Sequence, residues 1–238
     1  MLGKVYFVGA GPGDPELITL RGDALLKDAD LVLYTGSLVN QEVLRYAGGE
    51  TINSHGLNLD ELITIMVDAV RDNKKVVRLH TGDPSLYGAI YEQIVALKEK
   101  NIESEIVPGV SSLFAAAASL GVQLTLSGVT ETLIITRPAG ETLESDEIRE
   151  LSKHHATMAI FLGVHKIEEI ISNVEYPPET PVAVVYHASW QDEAIILGTV
   201  SDIAEKVKNS RIRQSAMILI GDVIRPESFR RSHLYGSQ

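Results

Sequence analysis

The 238-residue chain has no cysteine, which excludes disulfides, a thiolate nucleophile and Cys-ligated zinc or iron–sulfur centres, and suits a reducing compartment. Histidine is sparse too: among seven, only His154 and His155 are adjacent and no His-x-x-x-His pair occurs, so no metal site is expected. No long apolar run is present and no apolar leader follows Met1, so neither a membrane span nor a signal peptide is expected. Positive charge is in short supply. Lys and Arg number 21 against 32 Asp and Glu, a net charge of −11 that repels a nucleic-acid backbone. A polyanionic small substrate would therefore need its own local cluster of Arg, Lys and His. There is no repeat of 20–50 residues and no low-complexity tract. What is present is 45% hydrophobic residues, enough to bury the cores of one large domain or two ordinary ones.

The most informative stretch runs from Val76 to Gly88. Residues 75–79 read as a short β-branched strand that ends at Gly82-Asp83-Pro84, because Pro84 has no ladder N–H and biases Asp83 away from helix. Leu86, Ile90, Ile94 and Leu97 then recur at spacings of three and four, which predicts a helix over 86–100. Residues 80–85 are thus expected to form a loop at the carboxyl end of a buried strand, where open α/β sheets bind ligands.

Val5–Gly9 is a nearly continuous apolar run, as expected of a strand buried on both faces, and it leads into Gly9-Ala-Gly-Pro-Gly-Asp-Pro15. This loop invites a dinucleotide reading, in which glycines cradle a pyrophosphate at a helix N-terminus. The fingerprint is incomplete: the glycines stand at 9, 11 and 13, Asp14 holds the place of the third, and the second strand, 30–34, begins with its acid. A tight strand-to-helix turn and a dinucleotide-binding module both stay open. A helix is expected over 16–29, with Leu17, Leu20, Ala24, Leu25 and Leu26 inward. Thr35-Gly-Ser-Leu-Val39 follows the second strand as another carboxyl-end loop. Asn58 and Glu61 have capping-box spacing for a helix to about Asp72, with Leu59, Leu62, Ile63, Met66 and Val70 as its core stripe. A strand near 104–107 runs into Pro108-Gly-Val-Ser-Ser112 and an alanine-rich helix, 113–119, whose start holds two hydroxyls; Ser111 or Ser112 caps it, contacts a ligand, or does both.

Residues 121–129 lack helical periodicity and are read as the joint between two domains, 1–120 and 121–238. Beyond them, strands are expected at 132–136, 157–162, 181–186 and 215–220, and helices near 145–153, 165–173 and 201–208. Residues 193–197 should pair with 181–186 across Ser189-Trp-Gln-Asp192. The fold class is α/β, with two α/β domains: a mostly parallel sheet in the first and a mixed sheet in the second.

Three strings in this order resemble the tetrapyrrole methylase superfamily: Val8-Gly-Ala-Gly-Pro-Gly-Asp-Pro15 with Leu17-Ile-Thr-Leu20, His80-Thr-Gly-Asp-Pro84 with Tyr87-Gly88, and Pro108-Gly-Val-Ser-Ser112 with its alanine helix. The likeness covers nearly the whole chain. It implies S-adenosyl-L-methionine as cofactor, held in a cleft between two α/β domains, S-adenosyl-L-homocysteine as product, a small tetrapyrrole substrate, a homodimer and a cytoplasmic setting. Ile135-Thr-Arg137, Ile160-Phe-Leu-Gly163, Val184-Val-Tyr-His-Ala-Ser-Trp190 and Gln214-Ser-Ala-Met-Ile-Leu219 look most like the branch that methylates C11 of a corrin precursor.

Carried over by position, the resemblance implies cofactor contacts at Pro12, Thr81, Gly82, Asp83, Leu86, Ser111 and Ser112, and at Leu162, Ala188, Ala216 and Met217 from the second domain. The carboxylates of such a substrate point to Arg137, Ser37 and His80, with Arg45 as a further cation. Rival readings stand beside these: plain core for Leu86 and Leu162, a turn residue before proline for Asp83, and an ordinary surface arginine for Arg137. In the uroporphyrinogen-III methylases an acid follows the second strand, whereas here Gly36 stands there, which argues against that assignment and leaves no evident general base. No catalytic side chain or metal is named. The implied chemistry, attack of a ring carbon on a sulfonium methyl, needs positioning, which is worth about 7–11 kcal/mol. Diphthine synthase and ribosomal-RNA ribose methylases of the same superfamily fit the later strings less well, and the acidic balance also disfavours the second.

Overall fold

The computed structural model describes residues 3–36 and 39–231. It divides into two compact units between Ser112 and Leu113.

The first unit holds five strands: β1 (Lys4–Gly9), β2 (Leu31–Tyr34), β3 (Glu50–Asn53), β4 (Val76–His80) and β5 (Glu103–Val107). Their order is β3-β2-β4-β1-β5 and every pairing is parallel. Helix α1 (Leu20–Lys27) covers one face, packing Leu25 and Leu26 with Val8, Val32, Val77 and Leu79. Helices α2 (Leu59–Arg71) and α3 (Ile90–Glu99) cover the other, over Val5, Phe7, Leu31, Leu33 and Val76. The chain moves outward from β1 to β3, then returns through β4 to β5. Crossovers thus leave the neighbouring strands β1 and β4 in opposite directions and over opposite faces, and their carboxyl ends form a topological switch point.

Local sequence explains most of these elements. The α2 capping box is complete, Asn58 accepting from the Glu61 N–H while the Glu61 carboxylate accepts from the Asn58 N–H. The helix expected over 16–29 is interrupted instead. Pro15–Leu17 makes one 3₁₀ turn capped by Asp14, Ile18 is extended, and α1 restarts where the Thr19 hydroxyl accepts from the Gly22 N–H. The restart sets a new helical phase, so Leu20, expected inward, is 91% exposed and Ala24 is exposed as well. Helix α3 starts at Ile90 rather than 86, because Gly88 lies against Pro84, whose carbonyl oxygen would stand 2.2 Å from an added Cβ. Tyr87 and Ala89 take left-handed backbone beside it (φ 55° and 48°), and Leu86 lies in the turn. Strand β3 escapes the sequence pattern because it is a four-residue edge strand with three exposed positions.

The second unit contains α4 (Ser112–Leu120), β6 (Leu133–Thr136), α5 (Ile148–Ser152), β7 (Thr157–Ile160), α6 (Ile167–Asn173), β8 (Pro181–Tyr186), β9 (Ala194–Thr199), α7 (Ile203–Asn209) and β10 (Ala216–Ile220). The sheet order is β6-β7-β10-β8-β9; β6 and β7 are parallel and the other pairs antiparallel, including the expected β8–β9 hairpin. Helices α5, α6 and α7 bury Ile148, Ile167, Ile170, Ile203 and Val207 on one face. The alanines of α4 pack with Ala159, Ala183, Val185 and Leu219 of the second sheet. Among the described residues no helix is long and apolar enough to cross a membrane.

Candidate functional site

Three loops converge at the switch point of the first sheet. The Ala10 N–H donates to the His80 carbonyl (2.7 Å), and Gly11 and Gly82 exchange backbone hydrogen bonds, with the Gly82 N–H 2.8 Å from the Gly11 carbonyl oxygen. The loop after β5 closes on this pair so tightly that a Cβ on Gly109 would stand 2.2 Å from the Gly82 carbonyl oxygen and 2.8 Å from Gly9 Cα. Asp83 brackets the assembly: its Oδ1 accepts from the Ser85 N–H (2.8 Å) and its Oδ2 from the Gly109 N–H (2.9 Å), 26 residues away. The turn-residue reading of Asp83 is therefore correct but incomplete, since the same carboxylate also ties the β4 loop to the β5 loop. Ser111 is buried, with its Cα 3.6 Å from where a Gly82 Cβ would lie; Ser112 opens α4 and is half-buried, Pro12 is buried and Thr81 is exposed. Leu86 is half-buried in the turn, not on a helix.

The chemistry of these loops is selective. Residues 9–15, 81–89 and 108–112 contain Asp14 and Asp83 but no Lys or Arg. Two carboxylates and no cation suit a ligand with ammonium or sulfonium charge and hydroxyls.

Below the loops, on the face covered by α2 and α3, lie His80 and Arg78. His80 is 5% exposed, stacks on Phe7 (ring centroids 5.9 Å apart), and its Nε2 has no hydrogen-bond partner among the described residues. Burial, aided by the charge of Arg78, pushes its pKa down to about 3, so it is neutral at neutral pH. Arg78, which the sequence reading passed over, is also 5% exposed; burial lowers its pKa to about 10, leaving it charged. It donates to Gln93 Oε1 (3.3 Å), the Leu33 carbonyl (3.3 Å) and Thr35 Oγ1 (3.1 Å). Arg45 lies exposed on a 3₁₀ helix, Gln41–Tyr46, over the Tyr46 ring. Ser37 lies outside the described residues.

In the second sheet, register gathers the expected residues at one end. Thr136 aligns with Ile160, Ile160 with Ile218, and Tyr186 with Ala216, so Arg137, Leu162, Ala188 and the Ala216-Met217 pair share that end. Arg137 donates from both terminal nitrogens to Thr142. Leu162 is 55% exposed with φ 55°, which rules out the plain-core reading, whereas Ala188 and Met217 are buried. His187, Ser189 and Ser215 are left-handed there too, and strained backbone of this kind persists where surrounding structure enforces it. His187 is sandwiched between Tyr186 and Trp190 (centroids 3.8 and 4.6 Å) and its Nδ1 donates to Asp192 (2.9 Å). Glu193 Oε2 accepts from the Ser189 N–H and the Ser119 hydroxyl, both at 2.7 Å, tying the hairpin to α4. The string 184–190 marked this region, but only the hairpin pairing brings Asp192 and Glu193 back onto it. Among the described residues no group of three His, Asp or Glu side chains could hold a metal ion.

Comparison with known proteins adds four findings. The family model described as Tetrapyrrole (Corrin/Porphyrin) Methylases matches residues 4–204. The cobalt-precorrin-4 C(11)-methyltransferase of Methanocaldococcus jannaschii is 55% identical, over 98% of this chain and 92% of its own. Among solved structures, a cobalt precorrin-4 methyltransferase superposes with a TM-score of 0.90 at 44% identity, covering 94% of this chain and 96% of its own. The uroporphyrin-III C-methyl transferase of Thermus thermophilus, complexed with S-adenosylhomocysteine, gives 0.79 at 31% identity and 94% coverage of both.

Proposed function

The chain belongs to the tetrapyrrole methylases, and on that premise we propose that it transfers a methyl group from S-adenosyl-L-methionine to C11 of precorrin-4, with or without cobalt, in cobalamin biosynthesis. The observation that carries this reading is the convergence of three cation-free loops at the switch point, joined to 55% identity with a cobalt-precorrin-4 C(11)-methyltransferase along nearly the whole chain. When bound, S-adenosyl-L-methionine supplies an already activated methyl group and leaves as S-adenosyl-L-homocysteine.

The protein's task is then to fix two reactants in attack geometry. Thr81, Gly82, Asp83, Ser111, Ser112 and Pro12 hold the polar ends of the donor, with Asp83 and the Ser111 hydroxyl as hydrogen-bonding groups. Leu86 contacts its apolar surface, and the family resemblance assigns Leu162, Ala188, Ala216 and Met217 as further donor contacts. Arg137, at the strand end in the second sheet, meets a substrate carboxylate, and Ser37 belongs to the same substrate set; His80, expected there too, is instead buried and neutral and takes no part in it. The working form is a homodimer in the cytoplasm: Ile195 and Leu197 are exposed on β9, the edge strand, and offer apolar surface to a second copy, while the cysteine-free chain needs no oxidising compartment.

Calorimetry with S-adenosylhomocysteine and NAD separates this reading from a dinucleotide-binding module. Binding of S-adenosylhomocysteine alone is expected; binding of NAD alone would reject the methylase reading.

A further inference from the structure

Arg78 is not needed for any of the cofactor contacts above, yet it sits where a charge is costly. Its guanidinium lies in the sheet face covered by α2 and α3, is 5% exposed, and has no ion-pair partner among the described residues. Its acceptors are all neutral: the Leu33 carbonyl at the end of β2, the hydroxyl of Thr35 at the start of the following loop, and Gln93 Oε1 on α3. Gln93 in turn donates from Nε2 to the carbonyl of Ala89 (3.0 Å), the left-handed residue that ends the β4 loop and starts α3 without a side-chain cap. One planar fork therefore spans the loop after β2 and the loop after β4. A lysine, with a single ammonium on a flexible stem, cannot reach three acceptors on three elements at once.

We propose that Arg78 is a positioning residue: through Thr35 on one side and Gln93 and Ala89 on the other, it holds Thr35, where the chain leaves β2, and the β4 loop in one fixed relation, so that the macrocycle meets a preset surface. The inference rests on the reading that these carboxyl-end loops face the reactants. The donor contacts at Thr81–Asp83 are braced separately, by Gly11 and Gly109, so donor binding does not depend on the fork. Stability does not explain it either, because a buried charge with neutral partners is generally matched or bettered by well-packed apolar side chains.

The test compares the full chain with Thr35→Val, Arg78→Lys and the double variant Arg78→Met/Gln93→Leu. Hydrogen exchange at the amides of Gly36, Val39 and Asn40 is expected to quicken about tenfold or more in all three. With precorrin-4 and S-adenosylmethionine, kcat/KM is expected to fall about 100-fold for Arg78→Lys, the cost of a misplacement near 1 Å. S-adenosylhomocysteine affinity should stay at the wild-type value in all three; Tm should fall in Thr35→Val and Arg78→Lys, which leave buried partners unpaired, whereas the double variant should be about as heat-stable as the wild type. Wild-type exchange and kcat/KM in Arg78→Lys would overturn the proposal. So would a double variant that loses Tm and S-adenosylhomocysteine binding together, since that assigns Arg78 to the fold. If the wild-type chain methylates no macrocycle, the functional reading fails, and the exchange experiment still decides whether Arg78 holds the loop.

Discussion

Replacing Gly109 by alanine perturbs the point where the three loops meet, and the structure sets its cost. The new Cβ would stand 2.2 Å from the Gly82 carbonyl oxygen, 2.8 Å from Gly9 Cα and 3.0 Å from Gly9 C, all backbone atoms of loops at central strands. Relief to an ordinary contact requires a shift of about 1 Å, and overpacking of this kind costs about 1–3 kcal/mol. The same shift stretches the bond from the Gly109 N–H to Asp83, now 2.9 Å, out of hydrogen-bonding range, which removes a further ~1.5–3 kcal/mol. For a chain of this size Tm should drop by about 5–20 °C. Displaced by that ångström, Asp83 and Ser111 lose their alignment, and kcat/KM should fall about 100-fold. Gly82→Ala is the matched control. Its Cβ has room, the nearest atom lying 3.6 Å away, but φ is +60°, so it should cost only about 1–2 kcal/mol of strain. Its S-adenosylhomocysteine affinity should therefore suffer less than that of Gly109→Ala. Thermal melts and titration calorimetry read both variants. Wild-type Tm and affinity in Gly109→Ala, or a larger loss of affinity in Gly82→Ala, would refute the reasoning.

Asp83→Asn keeps the shape but surrenders one of two acceptors for backbone N–H groups, so about 1.5–3 kcal/mol should be lost and S-adenosylhomocysteine should bind more weakly; unchanged melting and titration would contradict the bracket. Tyr176→Phe removes the hydroxyl that donates to the Ala156 carbonyl (2.5 Å), just ahead of β7 and at the opposite end of the second sheet from Leu162. Thermal melts should show about 1–3 kcal/mol lost, with S-adenosylhomocysteine affinity unchanged. His80 has a folded pKa near 3, below its unfolded value, so its neutral form contributes stability above about pH 6.5 that is lost as pH falls toward 3, by up to ~1.4 kcal/mol per pH unit. His80→Leu should show a shallower loss of Tm on acidification, and coincident pH profiles would contradict its buried, neutral state.

Features encoded by neighbouring residues were legible in the chain. The Val5–Gly9 run and the strand ended by Gly82-Asp83-Pro84 are set by local pattern, and the Asn58–Glu61 capping box needs only its own turn. Misreadings arose where distant atoms decide. The apolar period from Leu86 continues a helix on paper, but Gly88 pressed on the Pro84 carbonyl delays it to Ile90. The Asp83–Gly109 bracket and the return of Asp192 and Glu193 onto Ser189 and His187 depend on loop closure that residue spacing does not reveal. Arg78 left a signal that passed unread: in Val76-Val-Arg-Leu-His80, period two puts Arg78 and His80 on the face of Val76, which helices cover.

The central claim is that the chain delivers a methyl group to one carbon of a corrin precursor. Incubation of the purified protein with precorrin-4 and methyl-¹³C S-adenosylmethionine, followed by ¹³C NMR of the product, tests it most directly. A single new labelled methyl coupled to C11 is expected; label at another ring position, or no label in the macrocycle, would contradict it.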